Sequence, residues 1–311
     1  MDPQLVEDVE DLVECVPNIS EGRRVAVVDE IVAAFAGAHP DVRVLDRSSD
    51  PDHNRSVLTL AGPGGALVEA AVAGAAACAR LIDLNQQHGV HPRMGALDVL
   101  PFIPLGTGNV EACVPLALTA GRRLVEEAGV PVYFYGVAAR RPERVALPRV
   151  RGQGFEELRV RAARDPDRAP DLGGPAPHPT AGATAVGVRW FLIAYNVNLA
   201  TNDLAVARRI AAAVRERDGG LAAVRALGLA LPGRGLTQVS MNLLDYRVTP
   251  PAAAFAAVAA LAGQYGVEVA ESEIVGLVPQ AALDGTDPAD LRLRDFGLDR
   301  VLEWRLSQQI G

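Results

Sequence analysis

Twice along the chain the hydrophobic periodicity runs strand, helix, strand, strand, helix, strand. In the first half VECVP reads as a short strand and RRVAVVDEIVAAFAG as a helix that stops on Gly37. VRVLDR and RSVLTLAG are two strands with Ser, Asp and Pro between them. PGGALVEAAVAGAAACARLIDL is a long Ala-rich helix, and ALDVLPFIPL is the strand that completes the set. A further helix, NVEACVPLALTAGRRLVEEAG, and a strand, VPVYFYG, follow. The second half repeats the order with RWFLIAYNVNL, DLAVARRIAAAVRER, VRALGLAL, LTQVSMNLLDYRV, PAAAFAAVAALAGQYG and VEVAESEIVGLVP.

A β-α-β-β-α-β unit is the split βαβ pattern of ferredoxin-like folds, an antiparallel sheet with helices on one face. The expected class is therefore α+β: a duplicated ferredoxin-like chain whose two βαββαβ subdomains face a central crevice. The subdomains are expected over residues 1–187 and 188–311. Residues 279–311 are expected to form a polar tail with short helices.

Composition narrows the chemistry. All 30 basic residues are Arg, which excludes a Schiff-base lysine, a pyridoxal enzyme and a Walker-A ATPase. Anionic ligands must then meet Arg forks or backbone N–H groups. A net charge of −8 argues against a nucleic-acid partner. Three widely spaced cysteines without a CxxC pair suggest neither disulfides nor a zinc site and fit a reducing, cytoplasmic setting. The acidic N-terminus lacks the features of a signal peptide, and the apolar runs are too short and small-sided for membrane spans.

Polar residues gather in five places. PNISEG, residues 17–22, precedes a helix, so Ser20 and Glu21 either cap it or sit beside an anion, with Asn18 adjacent. DRSSDPDHNRS, residues 46–56, carries Asp50, His53, Asn54 and Arg55. It is either a solvated hairpin or one wall of a cleft in which Arg55 grips a carboxylate. In QQHGVHPRMGALD, residues 86–98, Pro92 keeps His91 extended and Arg93 follows it, a setting suited to proton transfer beside an anion. His88 is the rival, nearer the helix end that it would cap. APDLGGPAPHPTAGATAVG, residues 169–187, is a linker or a backbone platform open to a flat heterocycle. Last, Asn196 and Asn198, and Gln238, Ser240 and Asn242, alternate with apolar residues, so each set presents one polar strand face.

VECVPNISEG, DPDHNRSV, RLIDL, HPRMGALDVLPFIP, PVYFYG, APDLG, GATAVG, FLIAYNVNL, QVSMNLLD and IVGLVP occur in this order. Together they resemble the formimidoyltransferase family, including the transferase part of formimidoyltransferase-cyclodeaminase, over residues 13–279. The resemblance implies the duplicated ferredoxin-like architecture and a single transferase activity without a cyclodeaminase segment. It implies His91 as the catalytic residue, and a folate-binding stretch at Gly173, Gly174, Pro175, Ala176, Pro177, His178, Pro179, Thr180, Ala181 and Gly182. Two positions depart from common family members. Val90 stands where the two-activity enzymes often carry Glu, and Ser48 where some members carry Asp, which leaves Asp50 as the candidate second carboxylate.

The implied reaction moves a formimino group from N-formimino-L-glutamate to tetrahydrofolate, a co-substrate, as a step of histidine degradation. His91 would take the proton from folate N5 and return it to the departing glutamate nitrogen. Asn18, Asp50, Asn54, Arg55 and Arg93 are the expected substrate-binding residues, with the two arginines on carboxylates. No metal and no membrane or nucleic-acid partner is expected, and a homodimer is left open. The alternatives are a 5-formyltetrahydrofolate–glutamate formyltransferase and a non-catalytic folate or amino-acid sensor.

Overall fold

Pro17 interrupts the strand at the middle of the first sheet, leaving Leu12–Cys15 (β1) and Asn18–Ile19 (β2). The structure, a computed structural model, describes residues 12–89, 92–106 and 108–308. The chain separates into two compact units, Met1–Arg189 and Trp190–Gly311.

In the first unit, helix Val25–Gly37 (α1) follows β2, then strands Arg43–Asp50 (β3) and Arg55–Pro63 (β4), helix Gly64–Leu81 (α2) and strand Leu97–Pro104 (β5). The broken strand β1/β2 pairs antiparallel with β5 on one side and β4 on the other, and β3 pairs with β4. Counting the four strands of the repeat in chain order, the sheet runs 4-1-3-2, the ferredoxin-like arrangement expected from the periodicity. In α1 the buried Val28, Ile31 and Phe35 form an inward stripe at helical spacing. By length and mean hydropathy α2 is long and apolar enough to cross a membrane. Here ten of its residues, from Ala66 to Cys78, are buried within the unit.

Beyond β5 the expected further helix and strand extend the sheet, with one addition that the periodicity did not announce. Helix Val114–Ala128 (α3) leads to strand Val132–Gly136 (β6). A further strand, Thr184–Val188 (β7), inserts between β5 and β6 and runs parallel to both. β7 is TAVGV, which the composition presented as the end of a connector, and all five of its residues are buried. It is covered on both faces, so it needs no polar alternation. Gly121 of α3 packs against the Phe134 ring. On the opposite face, Tyr133, Tyr135 and Ala185 join Val150 and Leu158 from helices Leu147–Arg151 (α4) and Phe155–Arg161 (α5). Gly187 lies under the Tyr135 ring, where a Cβ would sit 2.4 Å from ring carbons.

The second unit comprises strand Ile193–Leu199 (β8), helix Leu204–Val214 (α6), strands Val224–Leu231 (β9) and Leu236–Leu243 (β10), helix Pro251–Gln264 (α7) and strand Val269–Val275 (β11). The antiparallel order β11-β8-β10-β9 is again 4-1-3-2. Asp203 caps α6 by accepting the Ala205 N–H at 2.8 Å. Ile193, Tyr195, Val197 and Leu199 alternate inward with Asn196 and Asn198 on the other face. Short 3₁₀ turns and helix Leu302–Gln308 (α8) follow β11.

Candidate active site

Four of the five polar segments converge in the first unit. Ser20 donates through Oγ to the Gly95 carbonyl at 2.7 Å and through its N–H to Ala96 at 2.9 Å. Ser56 Oγ donates to the Glu21 carbonyl at 2.6 Å. Asn54 Oδ1 accepts the Gly22 N–H at 2.9 Å, and the Gln87 amide donates to the Asn54 carbonyl at 2.9 Å. From the connector side, the Thr180 and Ala181 carbonyls accept the N–H groups of Leu84 and Ala96, each at 2.8 Å. The segment from residue 84 to 98 is therefore the hub onto which the other three dock. His91 lies outside the described residues.

At the end of that segment Asp98 is fully buried and holds two arginines. Its Oδ2 accepts from Arg55 Nη1 at 2.9 Å and from Arg151 Nη2 and Nε at 2.7 and 3.1 Å, while Oδ1 accepts the Met94 N–H at 2.7 Å. Burial pushes the Asp98 carboxyl up, but Arg151, Arg55 and the Met94 N–H outweigh it and hold it below the usual carboxylate range. Arg55 also donates through Nη2 to Asn18 Oδ1 at 2.5 Å, and Asn18 itself donates to the Val16 carbonyl. Asn18 and Arg55 thus stand together. Arg151 was not foreseen. The basic run RVRG was its one visible signal, and only the packing of α4 brings it to Asp98.

The other candidates sit differently from their expected roles. Arg93 donates to both Glu156 oxygens, at 3.0 and 2.9 Å, to Gln87 Oε1 at 2.6 Å and to the Leu84 and Gln87 carbonyls. Its guanidinium is a brace between the hub and α5, not a fork held open for a substrate carboxylate. Asp50 is a turn residue: its carboxylate accepts the N–H groups of His53 and Asp52 and the His53 ring at 2.6 Å. The His53 N–H, followed by the ring contact, keeps it below its ordinary range. Glu21 occupies the place imagined for an external anion. Its Oε1 accepts the Arg23 and Arg24 N–H groups at 2.8 and 2.9 Å, which overcome burial and keep the carboxyl low.

Within the connector, His178 and Gly182 exchange backbone hydrogen bonds at 2.8 and 3.0 Å, and His178 Nδ1 accepts the Ala181 N–H. Gly182 has φ +71°, and a Cβ there would lie 2.1 Å from the Met94 carbonyl. This end of the stretch is committed to the fold. Gly173, Gly174, Pro175, Ala176 and Pro179 are exposed, whereas Pro177, His178 and Thr180 are half-buried. A polar cavity of about 500 Å³ opens beside the hub, lined by residues that include Glu21, Arg24, Asn54, Asp83, Gln87 and His88.

A second buried acid escaped the sequence reading. Glu14 lies mid-strand in β1, opposite Ala61 and Ile103, and is 3% exposed. Burial raises its carboxyl to about 7 against the opposing charge of Arg189. Its signal was a carboxylate within the otherwise apolar run LVECV. In the second unit the amide row is real, with Gln238 donating to Asn198 at 3.0 Å and Asn198 to Glu271 at 2.8 Å.

Residues 12–189 match the formiminotransferase domain, N-terminal subdomain, and residues 194–289 match the formiminotransferase domain. Glutamate formimidoyltransferase of Thermoplasma acidophilum is 44% identical over 298 residues, covering 96% of this chain and 98% of the relative. That of Streptococcus pyogenes serotype M1 is 41% identical, covering 92% and 95%. Formimidoyltransferase-cyclodeaminase of Sus scrofa is 44% identical over 88% of this chain and 51% of its own length. With both subdomains matched and two relatives aligned almost end to end, the chain belongs to the formiminotransferase family.

Proposed function

We propose that this protein is a glutamate formimidoyltransferase, moving the formimino group of N-formimino-L-glutamate to tetrahydrofolate and releasing L-glutamate. The observation that carries the reading is the near-complete alignment with two relatives of that name. The docking of the segments on either side of His91 against the connector supports it. Folate N5 attacks the amidine carbon, His91 accepts the N5 proton, and the same imidazole returns it to the departing glutamate nitrogen. Holding both substrates beside one another supplies the proximity term. The connector would meet folate through its exposed half, and Arg55 would meet a glutamate carboxylate. Asn54, Arg93 and Asp50 then act by shaping the loops. The place of the reaction in histidine degradation follows from its donor, and the three buried free cysteines fit the cytoplasm.

One preparation assayed with both donors tests this. Turnover with N-formimino-L-glutamate and tetrahydrofolate, exceeding formyl exchange between 5-formyltetrahydrofolate and glutamate, is expected. Preferential formyl exchange would assign the chain to the formyltransferase reaction instead. Folate or glutamate binding without turnover of either pair would make it a sensor.

A further inference from the structure

We infer that Arg151 is a second carboxylate-binding residue for the amino-acid substrate, paired with Arg55 and fixed in place by Asp98. The inference rests on the proposed reaction and names the group that completes its donor site. Two guanidiniums converge on one carboxylate oxygen, Asp98 Oδ2, at 2.9 and 2.7 Å. Arginine does not deprotonate in proteins, so the cluster carries more positive than negative charge. Buried charge is tolerated when it is paired. Asp98 is completely covered, whereas the side chains of Arg55 and Arg151 keep 11% and 15% exposure, so the arginines and not the carboxylate are the reachable part of the cluster.

The hydrogen-bond inventory of Arg151 points the same way. Nε and Nη2 both donate to Asp98, and among the described residues Nη1 has no partner. A planar fork with one edge anchored and the other open is the geometry that accepts a carboxylate. The anchoring is itself built. Arg151 ends α4, and Arg168 donates to the carbonyls of Arg149 and Val150 at 3.2 and 3.1 Å while its Nη2 holds Glu157 at 2.8 Å. The side chain therefore approaches Asp98 from a braced helix end. A donor with two carboxylates offers the missing negative charge, and a donor with none would leave the pair unmatched.

The test compares wild type with Arg151→Gln. Titration calorimetry with L-glutamate should show about 10–100-fold weaker binding in the variant, the loss of one charge-assisted contact. KM for N-formimino-L-glutamate should rise by a similar factor, with kcat and the Kd for tetrahydrofolate nearly unchanged. Unchanged glutamate binding in a variant with wild-type Tm overturns the inference. Weakened tetrahydrofolate binding with unaltered glutamate binding also overturns it, because the carboxylate would then belong to the folate tail. Should Arg151→Gln fail to fold, wild type alone decides, since glutamate must bind at least 10-fold more tightly than its diamide and equal binding refutes the pair. Glutamate binding does not require turnover, so an inactive protein whose glutamate binding is lost in Arg151→Gln would sink the proposed reaction and leave this site standing.

Discussion

The side-chain amide of Asn54 donates to the carbonyl of His88 at 3.0 Å, joining the β3–β4 turn to the segment that leads toward His91. Asn54 adopts φ +49°, a left-handed conformation that asparagine tolerates better than most residues. With its Oδ1 on Gly22 and its carbonyl on Gln87, it is the fastener of three loops.

Replacing it should therefore loosen the site as well as the fold. Asn54→Ala leaves a buried N–H and a carbonyl without their partners, at a cost of about 1–3 kcal/mol for each group that water cannot reach. Urea denaturation should show a lower midpoint with unchanged slope. Asn54→Asp keeps the acceptor for Gly22 and should lose less. A variant as stable as wild type would show that the loops are held elsewhere.

The connector test must avoid its glycines. Gly182 cannot carry a side chain without meeting the Met94 carbonyl, so its replacement reports on folding rather than on folate. Ala176 is exposed and free of that constraint. Ala176→Asp should leave Tm within about 1 °C, since exposed substitutions usually change stability little, while weakening tetrahydrofolate binding severalfold. Unaltered affinity would mean that the exposed half of the connector does not face the folate.

Glu14 predicts a pH dependence of stability. Burial, which disfavours the charge, raises its folded carboxyl from the ordinary 4.5 to about 7. Between those values the folded state binds more protons than the unfolded one, so stability falls as pH rises from about 4.5 to 7 and stays reduced above. The shift corresponds to about 3 kcal/mol at most. Glu14→Gln removes the ionisation. It should match wild type near pH 4.5 and melt higher than wild type at pH 8. A lower Tm at pH 8 would mean that the attraction of the Arg189 charge outweighs burial.

Much of this architecture was legible because each repeat obeys one local rule at a time. Ile193, Tyr195 and Val197 alternate, Val28, Ile31 and Phe35 follow the helical period, and Gly and Pro punctuate the joins. β7 was hidden because Thr184–Val188 is buried on both faces, which erases alternation, and its small residues resemble a linker. The site divides in the same way. Arg55 was visible as a charged residue at the edge of a strand. The bond from Arg151 to Asp98 spans 53 residues, and nothing local to either residue encodes it. The bond from Arg93 to Glu156 spans 63 residues and was equally hidden from any local reading.

The most direct measurement follows glutamate released from N-formimino-L-glutamate, with and without tetrahydrofolate, for wild type, His91→Ala and His88→Ala. The account predicts folate-dependent release in wild type and a loss of ~10²–10⁴-fold in kcat for His91→Ala, the usual worth of an acid–base residue, with KM little changed. His88→Ala should remain close to wild type. Folate-independent release, or an inactive His88→Ala beside a His91→Ala that keeps normal kcat, would contradict it.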